Sequence, residues 1–413
     1  MTNLYIQNAT LNGRTVDIRV KDGLLHEIRV HSPQVQSQAD ETVLDARGLT
    51  VFPPFYNTHT HSVMTLLRGY ADDLPLHTWL QKHIWPAEAR LTPAHVRAGM
   101  RLACLEMIKS GTVGFIDMYM HQDIAAPVVV ESGMRALLGV NFFDQMPAEE
   151  RAYSIEILKR HQPTAQVSWA VAAHAPYTVG AESYQELSEL ATNLDLKLLT
   201  HLSETQTEVN DCRKQTGLSP VAWLDSLGVL NDRLIAAHCV HVSEEDINLL
   251  AQRQVVIAHC PSSNLKLSSG IAPVAHQLKA GCQVTIATDG AASNNNLNMQ
   301  EALKLATLLA KLDSAAAMPA NEALRLATRS GALAMDVDGG IIEEGRAADL
   351  LLVRMDEAQT TPLHSAVSNW VYSAQASQID TVICAGRILM QHGHVPGEED
   401  IIAEAQDAVQ TLL

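Results

Sequence analysis

Val51-Phe52-Pro53-Pro54-Phe55-Tyr56 (51–56), running straight into Asn57-Thr58-His59-Thr60-His61, is the first of eight short apolar runs along the chain. The others are Thr112 to Met118, Ala136 to Phe142, Val167 to Ala173, Leu196 to Thr200, Leu234 to Ala237, Gln254 to Ala258 and Gln283 to Thr288. Each is too short for a helix core and continuously apolar, the pattern of a strand buried on both faces. The stretches between them carry helical periodicity, for example Pro93 to Ser110 stopping at Gly111, and Ala181 to Asn193. Eight buried strands alternating with helices predict an α/β chain whose residues 54–340 close into a parallel (β/α)8 TIM barrel. A doubly wound open sheet is the alternative, but it would carry a Gly-rich phosphate turn after its first strand, and none is present.

Outward from the barrel, both ends of the chain read as β structure. Val16 to Val20 and Leu25 to Val30 alternate in period two across Lys21-Asp22-Gly23, the signature of a hairpin. Ala348 to Val353 reads as another strand, and Asp380 to Cys384 meets Ile388 to Met390 across Ala385-Gly386-Arg387. Residues 1–53 and 341–413 are therefore expected to form one composite β-sandwich domain beside the barrel.

The composition narrows the function classes. The chain has 413 residues, 47% hydrophobic and 18% charged, and a formal charge of −17. That balance works against nucleic acid or an anionic membrane surface as partner, since both are bound through basic faces. No stretch approaches the roughly 18 apolar residues of a membrane span, and Met1-Thr2-Asn3 leads into alternating polar sequence, so a cytoplasmic protein is expected. The six cysteines, with no C-x-x-C pair, read as small buried apolar residues. The apolar helices also suggest a homo-oligomer.

Working residues of such a barrel sit at the C-terminal ends of its strands. Run one ends in His59-Thr60-His61, whose i, i+2 spacing puts two imidazoles on one face of a strand. Alone, such a pair is as readily two core or surface histidines. Run five, however, ends in His201-Leu202-Ser203-Glu204, run six in His238-Cys239-Val240-His241, run seven in His259-Cys260-Pro261 and run eight in Asp289-Gly290. Polar, titratable groups at five strand ends are hard to attribute to packing, because unpaired imidazole and carboxylate are costly to bury. His59, His61, His201 and Asp289 offer three nitrogens and one carboxylate oxygen, a set suited to one Zn²⁺ or Fe²⁺ with a position left for water, whose pKa the metal would lower. Run four offers only His174 where a two-metal site would want a bridging lysine, so one ion per subunit is expected. Glu204 reads as a proton shuttle or a salt-bridged loop residue, and His238 as a base, a structural histidine or a fifth ligand. His241 and His259 read as structural.

Taken together, Phe55 to His61, Leu66-Leu67-Arg68-Gly69, His201 to Glu204, Ala237 to His241, Pro261 to Lys266 and Thr288 to Asn294 resemble the motifs of the amidohydrolase superfamily, closest to the 5-methylthioadenosine/S-adenosylhomocysteine deaminases of its triazine-hydrolase-like branch. Ile341 to Asp349 resembles that superfamily's return into its second β domain. The resemblance implies the same metal ligands, Glu204 protonating a purine ring nitrogen, and His238 with Asp289 managing the protons of the attacking water. It implies Glu88 on the ribose hydroxyls, Trp79 against the purine or thioether, and His174 as a substrate contact. The bland alternatives for Glu88 and Trp79 are a helix-surface carboxylate and a core aromatic. In one place the chain departs from the pattern: Leu138-Gly139-Val140-Asn141-Phe142 stands where an arginine for the homocysteine carboxylate is expected, leaving Arg151 as the one candidate. The implied activity is hydrolytic deamination of an adenine nucleoside, with methylthioadenosine or adenosine preferred over S-adenosylhomocysteine. Guanine, cytosine or pterin deamination, triazine dechlorination, and a non-catalytic scaffold of the same fold are the alternatives.

Overall fold

The computed structural model describes residues 3–160, 162–312 and 314–413. Eight parallel strands form the barrel wall: β6 (Phe55–Thr60), β7 (Thr112–Tyr119), β8 (Arg135–Phe142), β9 (Val167–Ala173), β10 (Lys197–Leu202), β11 (Leu234–His238), β12 (Val256–His259) and β13 (Gln283–Ile286), each hydrogen-bonded to the next in sequence. Their side chains are almost wholly buried, as continuously apolar runs between helices require. The seam between the first and last strands is closed by polar side chains: Thr58 Oγ1 meets Thr285 Oγ1 at 2.8 Å, and Asn57 accepts the Thr288 amide at 3.0 Å.

The strands outside the barrel, β1 (Asn3–Leu11), β2 (Arg14–Lys21), β3 (Leu24–Val30), β4 (Glu41–Asp45), β5 (Leu49–Phe52), β14 (Leu350–Arg354), β15 (Ile379–Cys384) and β16 (Arg387–Met390), join in one continuous eight-stranded sheet. Its hairpins turn on Asp22-Gly23 and Ala385-Gly386, where both residues take positive φ, as the tightest turns between twisted strands require. One face encloses a core of its own, including Leu4, Ile6, Ile18, Val51, Leu350 and Leu352. The alternate residues Phe52, Leu351 and Val353 face the barrel and belong to its core.

The first apolar run is thus two strands in two sheets. Val51 and Phe52 pair antiparallel with β14, while Phe55 begins β6. Pro53 and Pro54 between them cannot donate to a ladder, so the chain changes sheet there. Trp370 stacks on Phe52 and Phe55, at 5.1 and 5.8 Å between ring centroids, and seals the junction. Below the barrel, fully buried Asp349 accepts from Arg135 Nη1 at 2.7 Å, from the Ala385 amide at 2.6 Å, and from the Tyr56 hydroxyl. The C-terminal helix Glu398–Leu412 lies on the barrel helix Pro93–Lys109, where His95 meets Thr411 at 2.8 Å and Lys109 meets Glu398 at 2.7 Å. All six cysteines are free and buried. Among the described residues, no helix is long and apolar enough to cross a membrane.

Candidate metal centre and active site

At the C-terminal mouth of the barrel four strand ends converge on one point. His59 lies near the end of β6 and His61 just beyond it, and their side chains project to the same side, with His201 of β10 across from them. Ligand atoms of these three histidines lie within 4.8 Å of one another, and those of His59, His238 and Asp289 form a second such group. Asp289 follows β13 by three residues. It is held there because its amide donates to the His59 carbonyl at 3.0 Å, which also ties the last strand to the first. Its Oδ1 sits 3.2 Å from His61 Nε2 and 3.5 Å from His59 Nε2.

The outer partners settle which nitrogens face inward. His61 Nδ1 donates to the Met118 carbonyl at 2.6 Å and His201 Nδ1 to the His174 carbonyl at 2.7 Å. Both Nε2 atoms then point at each other across 3.3 Å, and His59 Nε2 is buried without a hydrogen-bond partner. Inward lone pairs so close together need a cation, and imidazoles whose far nitrogens are bonded to carbonyls have the usual form of metal ligands. Protons show the same demand. Burial pulls the His61 imidazole down, but Asp289 and the Met118 carbonyl outweigh it and hold its pKa above the ordinary range. Burial pushes His59 down to about 4 and His201 well below the ordinary value. Burial would raise the Asp289 carboxyl, yet His59 and His61 keep it well below the carboxylate range. Ser263 and Ser293 donate to its Oδ2 at 2.5 and 2.8 Å. His59, His61 and His201, with Asp289 Oδ1 3.2 and 3.5 Å from two of them, are a donor set that would fit a divalent cation.

Two buried carboxylates brace the loops around this centre. Asp117 of β7 accepts the Ser62 amide at 2.7 Å and the Thr60 hydroxyl at 2.9 Å, fixing the chain on both sides of His61. Glu208 accepts the amides of Ser203 and Glu204 at 2.7 and 2.8 Å. Neither carboxylate is apparent as a site residue in the sequence, although Thr205-x-x-Glu208 has the spacing of a helix capping box. His238 and Asp289 both take positive φ, +74° and +65°, a conformation uncommon for non-glycine residues that His and Asp adopt more readily than most.

The centre opens into a cavity of about 1200 Å³. Glu204 reaches its wall from the loop after β10; it is buried, its Oε1 accepts from Ser269 at 3.2 Å, and its Oε2 lies 3.8 Å from His238 Nε2. Burial raises its carboxyl above the ordinary range despite the nearby His238. His238 Nδ1 is bonded to Asn264 Oδ1 at 2.8 Å, which leaves Nε2 free to face the site. His174 lines the cavity beside Thr178, and burial pushes its imidazole down to about 3, so it is neutral. Glu88, Trp79, Tyr119 and Asn141 line the same space. Burial pushes the Glu88 carboxyl up to about 7 although Tyr119 opposes it.

Arg151 is brought elsewhere. It is not among the residues lining the cavity; its Nη2 pairs with Glu186 at 2.8 Å and its guanidinium lies over the Phe142 ring at 5.6 Å. An exposed carboxylate and an aromatic face on the neighbouring helix and strand satisfy it outside the mouth. His241 donates to the Ser269 carbonyl at 2.5 Å, a structural role. His259 is buried with both ring nitrogens unpartnered, and nothing in the structure explains it.

A barrel with an H-x-H strand end, a third histidine and an aspartate at one mouth defines the metal-dependent type of barrel hydrolase. Residues 50–389 match the model of the amidohydrolase family. The chain belongs to that family and is a hydrolase. It is 45% identical to a 5'-deoxyadenosine deaminase of Methanospirillum hungatei, over 94% of this chain and 89% of that one. It is 42% identical to a 5-methylthioadenosine/S-adenosylhomocysteine deaminase of Syntrophomonas wolfei, over 90% of this chain and 89% of that one. A zinc-bound adenosine deaminase of Xanthomonas campestris superposes with a TM-score of 0.93 at 35% identity, covering 99% and 98% of the two chains.

Proposed function

We propose that this protein hydrolyses the exocyclic amine of an adenine nucleoside whose 5′ substituent carries no negative charge: 5′-methylthioadenosine, 5′-deoxyadenosine or adenosine. Its relatives are named as deaminases of adenine nucleosides: 5'-deoxyadenosine, adenosine, and 5-methylthioadenosine together with S-adenosylhomocysteine. The observation that carries the reading is the placement of a buried carboxyl, Glu204, in one cavity with His238 and three of the four candidate ligands, His61, His201 and Asp289, the fourth, His59, lying against them. A divalent cation held by His59, His61, His201 and Asp289, zinc first and iron second, would acidify a water and offer it as nucleophile. Glu204 donates a proton to the purine ring nitrogen as the amine-bearing carbon is attacked, a role helped by burial, which raises its carboxyl above the ordinary range. His238 Nε2 and Asp289 take up the proton that the attacking water gives away. That proton passes to the departing amine, and the remaining hydroxyl proton returns to Glu204 as the carbonyl forms, so water and the nucleoside become the inosine analogue and ammonia. His174, neutral and fixed by Thr178, contacts the substrate, and Trp79 offers an apolar ring face.

Glu88, which lines the cavity, would accept the ribose hydroxyls in this reading. With its carboxyl at about 7, it takes up a proton as the pH falls through neutrality and loses one of its two acceptor positions. The value of kcat/KM is expected to fall below about pH 7. Glu88→Gln is expected to remove that inflection and raise KM roughly 10- to 150-fold, the worth of charge-assisted hydrogen bonds of about 1.5–3 kcal/mol. Identical pH profiles for the two proteins would exclude this role.

The 5′ substituent is argued from charge. Among the described residues lining the cavity none is Lys or Arg, while Asp144, Glu150 and Asp211 stand at its exposed rim. Leu138 to Phe142, where the resemblance leads one to expect an arginine for a carboxylate, puts only Asn141 on the cavity wall, and its buried Oδ1 has no hydrogen-bond partner. The homocysteine tail of S-adenosylhomocysteine carries an ammonium, which this rim could pair, and a carboxylate, for which the described lining offers no Lys or Arg. Its kcat/KM, followed by the ultraviolet change on loss of the amine, is expected to be at least about tenfold below that of methylthioadenosine, a difference of about 1.4 kcal/mol. A clear advantage for S-adenosylhomocysteine would overturn the assignment. The same proposal includes a division of the chain into 1–53 with 341–413 and 54–340, a cytoplasmic location, and self-association, for which Leu308, Leu312 and Leu333 offer exposed apolar surface.

A further inference from the structure

Glu208 is a carboxylate in an unexpected setting. It is 3% exposed, lies in the first turn of the helix Gln206–Thr216, and forms no ion pair with Lys or Arg among the described residues. A buried carboxylate without a cation is costly unless hydrogen bonds compensate it. Here the compensation comes from two backbone amides, Ser203 on Oε1 at 2.7 Å and Glu204 on Oε2 at 2.8 Å. In a capping box the N3 carboxylate would return to the amide of Thr205, the residue whose hydroxyl accepts the Glu208 amide. Instead it reaches one and two residues further, into the loop that carries the proposed proton donor.

The peptide it grips is a joint between two catalytic loops. Ser203 takes φ +51°, which a non-glycine residue holds only when its surroundings impose it. Its carbonyl accepts the amides of Val240 and His241 at 3.1 and 2.9 Å, so the same residue anchors the loop leaving His238. Glu208 therefore clamps Ser203 and Glu204 from one side, and the β11 loop is hung from the other.

We infer that Glu208 is a positioning residue for the deamination: its carboxylate fixes the backbone of Glu204, and through Ser203 the loop of His238, so that the Glu204 carboxyl stays aimed at the substrate. The inference rests on Glu204 being the proton donor. Both oxygens are acceptors in this arrangement, so an amide in place of the carboxylate must turn a donor NH2 toward a backbone N–H. Glu208→Gln is thus a sharp probe with almost no change in volume.

The test is a double-mutant cycle on the metal-loaded enzyme with methylthioadenosine, comparing wild type, Glu208→Gln, Glu204→Gln and the double variant. Glu208→Gln is expected to lower kcat about 10- to 100-fold, the range seen when an outer partner of a site residue is lost, with KM within about twofold and metal content unchanged. In the Glu204→Gln background the same change is expected to cost less than about twofold, because the group it aims is already gone. Equal losses in both backgrounds, or a fall confined to KM, would show that Glu208 acts independently of Glu204 and overturn the inference. So would an unaltered kcat in the single variant. Near-normal turnover of Glu204→Gln alone would instead remove the proton donor, and the inference with it. Where Glu208→Gln gives no folded protein, Glu208→Asp, which keeps the charge on a stem too short to span both amides, completes the cycle; failure of both to fold would assign Glu208 to folding alone.

Discussion

Glu204→Gln is expected to retain its metal and lose roughly 10²–10⁴-fold in kcat, the range that a positioned general acid–base group contributes, or about 3–6 kcal/mol of barrier. The substitution keeps the shape of the side chain and its hydrogen-bonding capacity toward Ser269, but it leaves no acid able to protonate the purine nitrogen. Glu204 stands outside the holding set, three residues past His201 and 3.8 Å from His238, so elemental analysis should return the wild-type metal content. A nearly unimpaired rate on methylthioadenosine would mean that the ring proton comes from another group. It would also weaken the case for deamination against displacement of a leaving group that needs no proton.

His61→Ala should act at the other end of the chemistry. His61 Nε2 lies 3.3 Å from His201 Nε2 and 3.2 Å from Asp289 Oδ1, so its loss leaves three of the four ligands and an Asp289 with one imidazole neighbour fewer. Metal retention after chelator challenge is expected to fall by more than the roughly 10–100-fold that losing a mere outer partner costs, and activity with it. Addition of excess metal should restore part of the rate. Metal content equal to that of wild type after the same challenge would contradict the assignment of the centre. The two variants separate the roles: one holds the ion without turnover, the other loses turnover because it loses the ion.

The strand ends show why so much of this centre could be read in one dimension. In a parallel barrel every strand delivers its last residues to the same mouth, so His59, His61, His201 and His238 are brought together by topology wherever their strands are recognised. Burying an imidazole or carboxylate unpaired is expensive, which makes its appearance after an apolar run informative. Asp289 is subtler: it lies past the end of β13, and the bond from its amide to His59 puts it within reach.

Arg151 marks the limit of this reasoning. Its position after run three suggested the cavity, but a long side chain on the helix Ala148–Arg160 can turn to either side of its helix, and the partners available, Glu186 and Phe142, lie away from the mouth. The split of 51–56 between two sheets was hidden for a different cause: both halves are apolar, and Pro53-Pro54 was read as part of the run when it is the point where pairing changes partner. Asp117 left no local mark, and the capping-box spacing of Thr205 and Glu208 marks a helix start and not a brace on the loop before it, since a carboxylate that accepts backbone amides uses no side-chain pattern.

Hydrophobic periodicity and the residue types at strand ends thus specified the barrel, its terminal β structure and the histidines that meet at its mouth, because burial and strand direction are properties of short segments that add up along the chain. Which nitrogen of each histidine faces inward, which carboxylates brace the loops and which charges reach the cavity were decided by folding. Those depend on hydrogen bonds between residues far apart in sequence, such as His61 to Met118, His201 to His174 and Asp289 to His59, and their directions exist only once the strands are side by side.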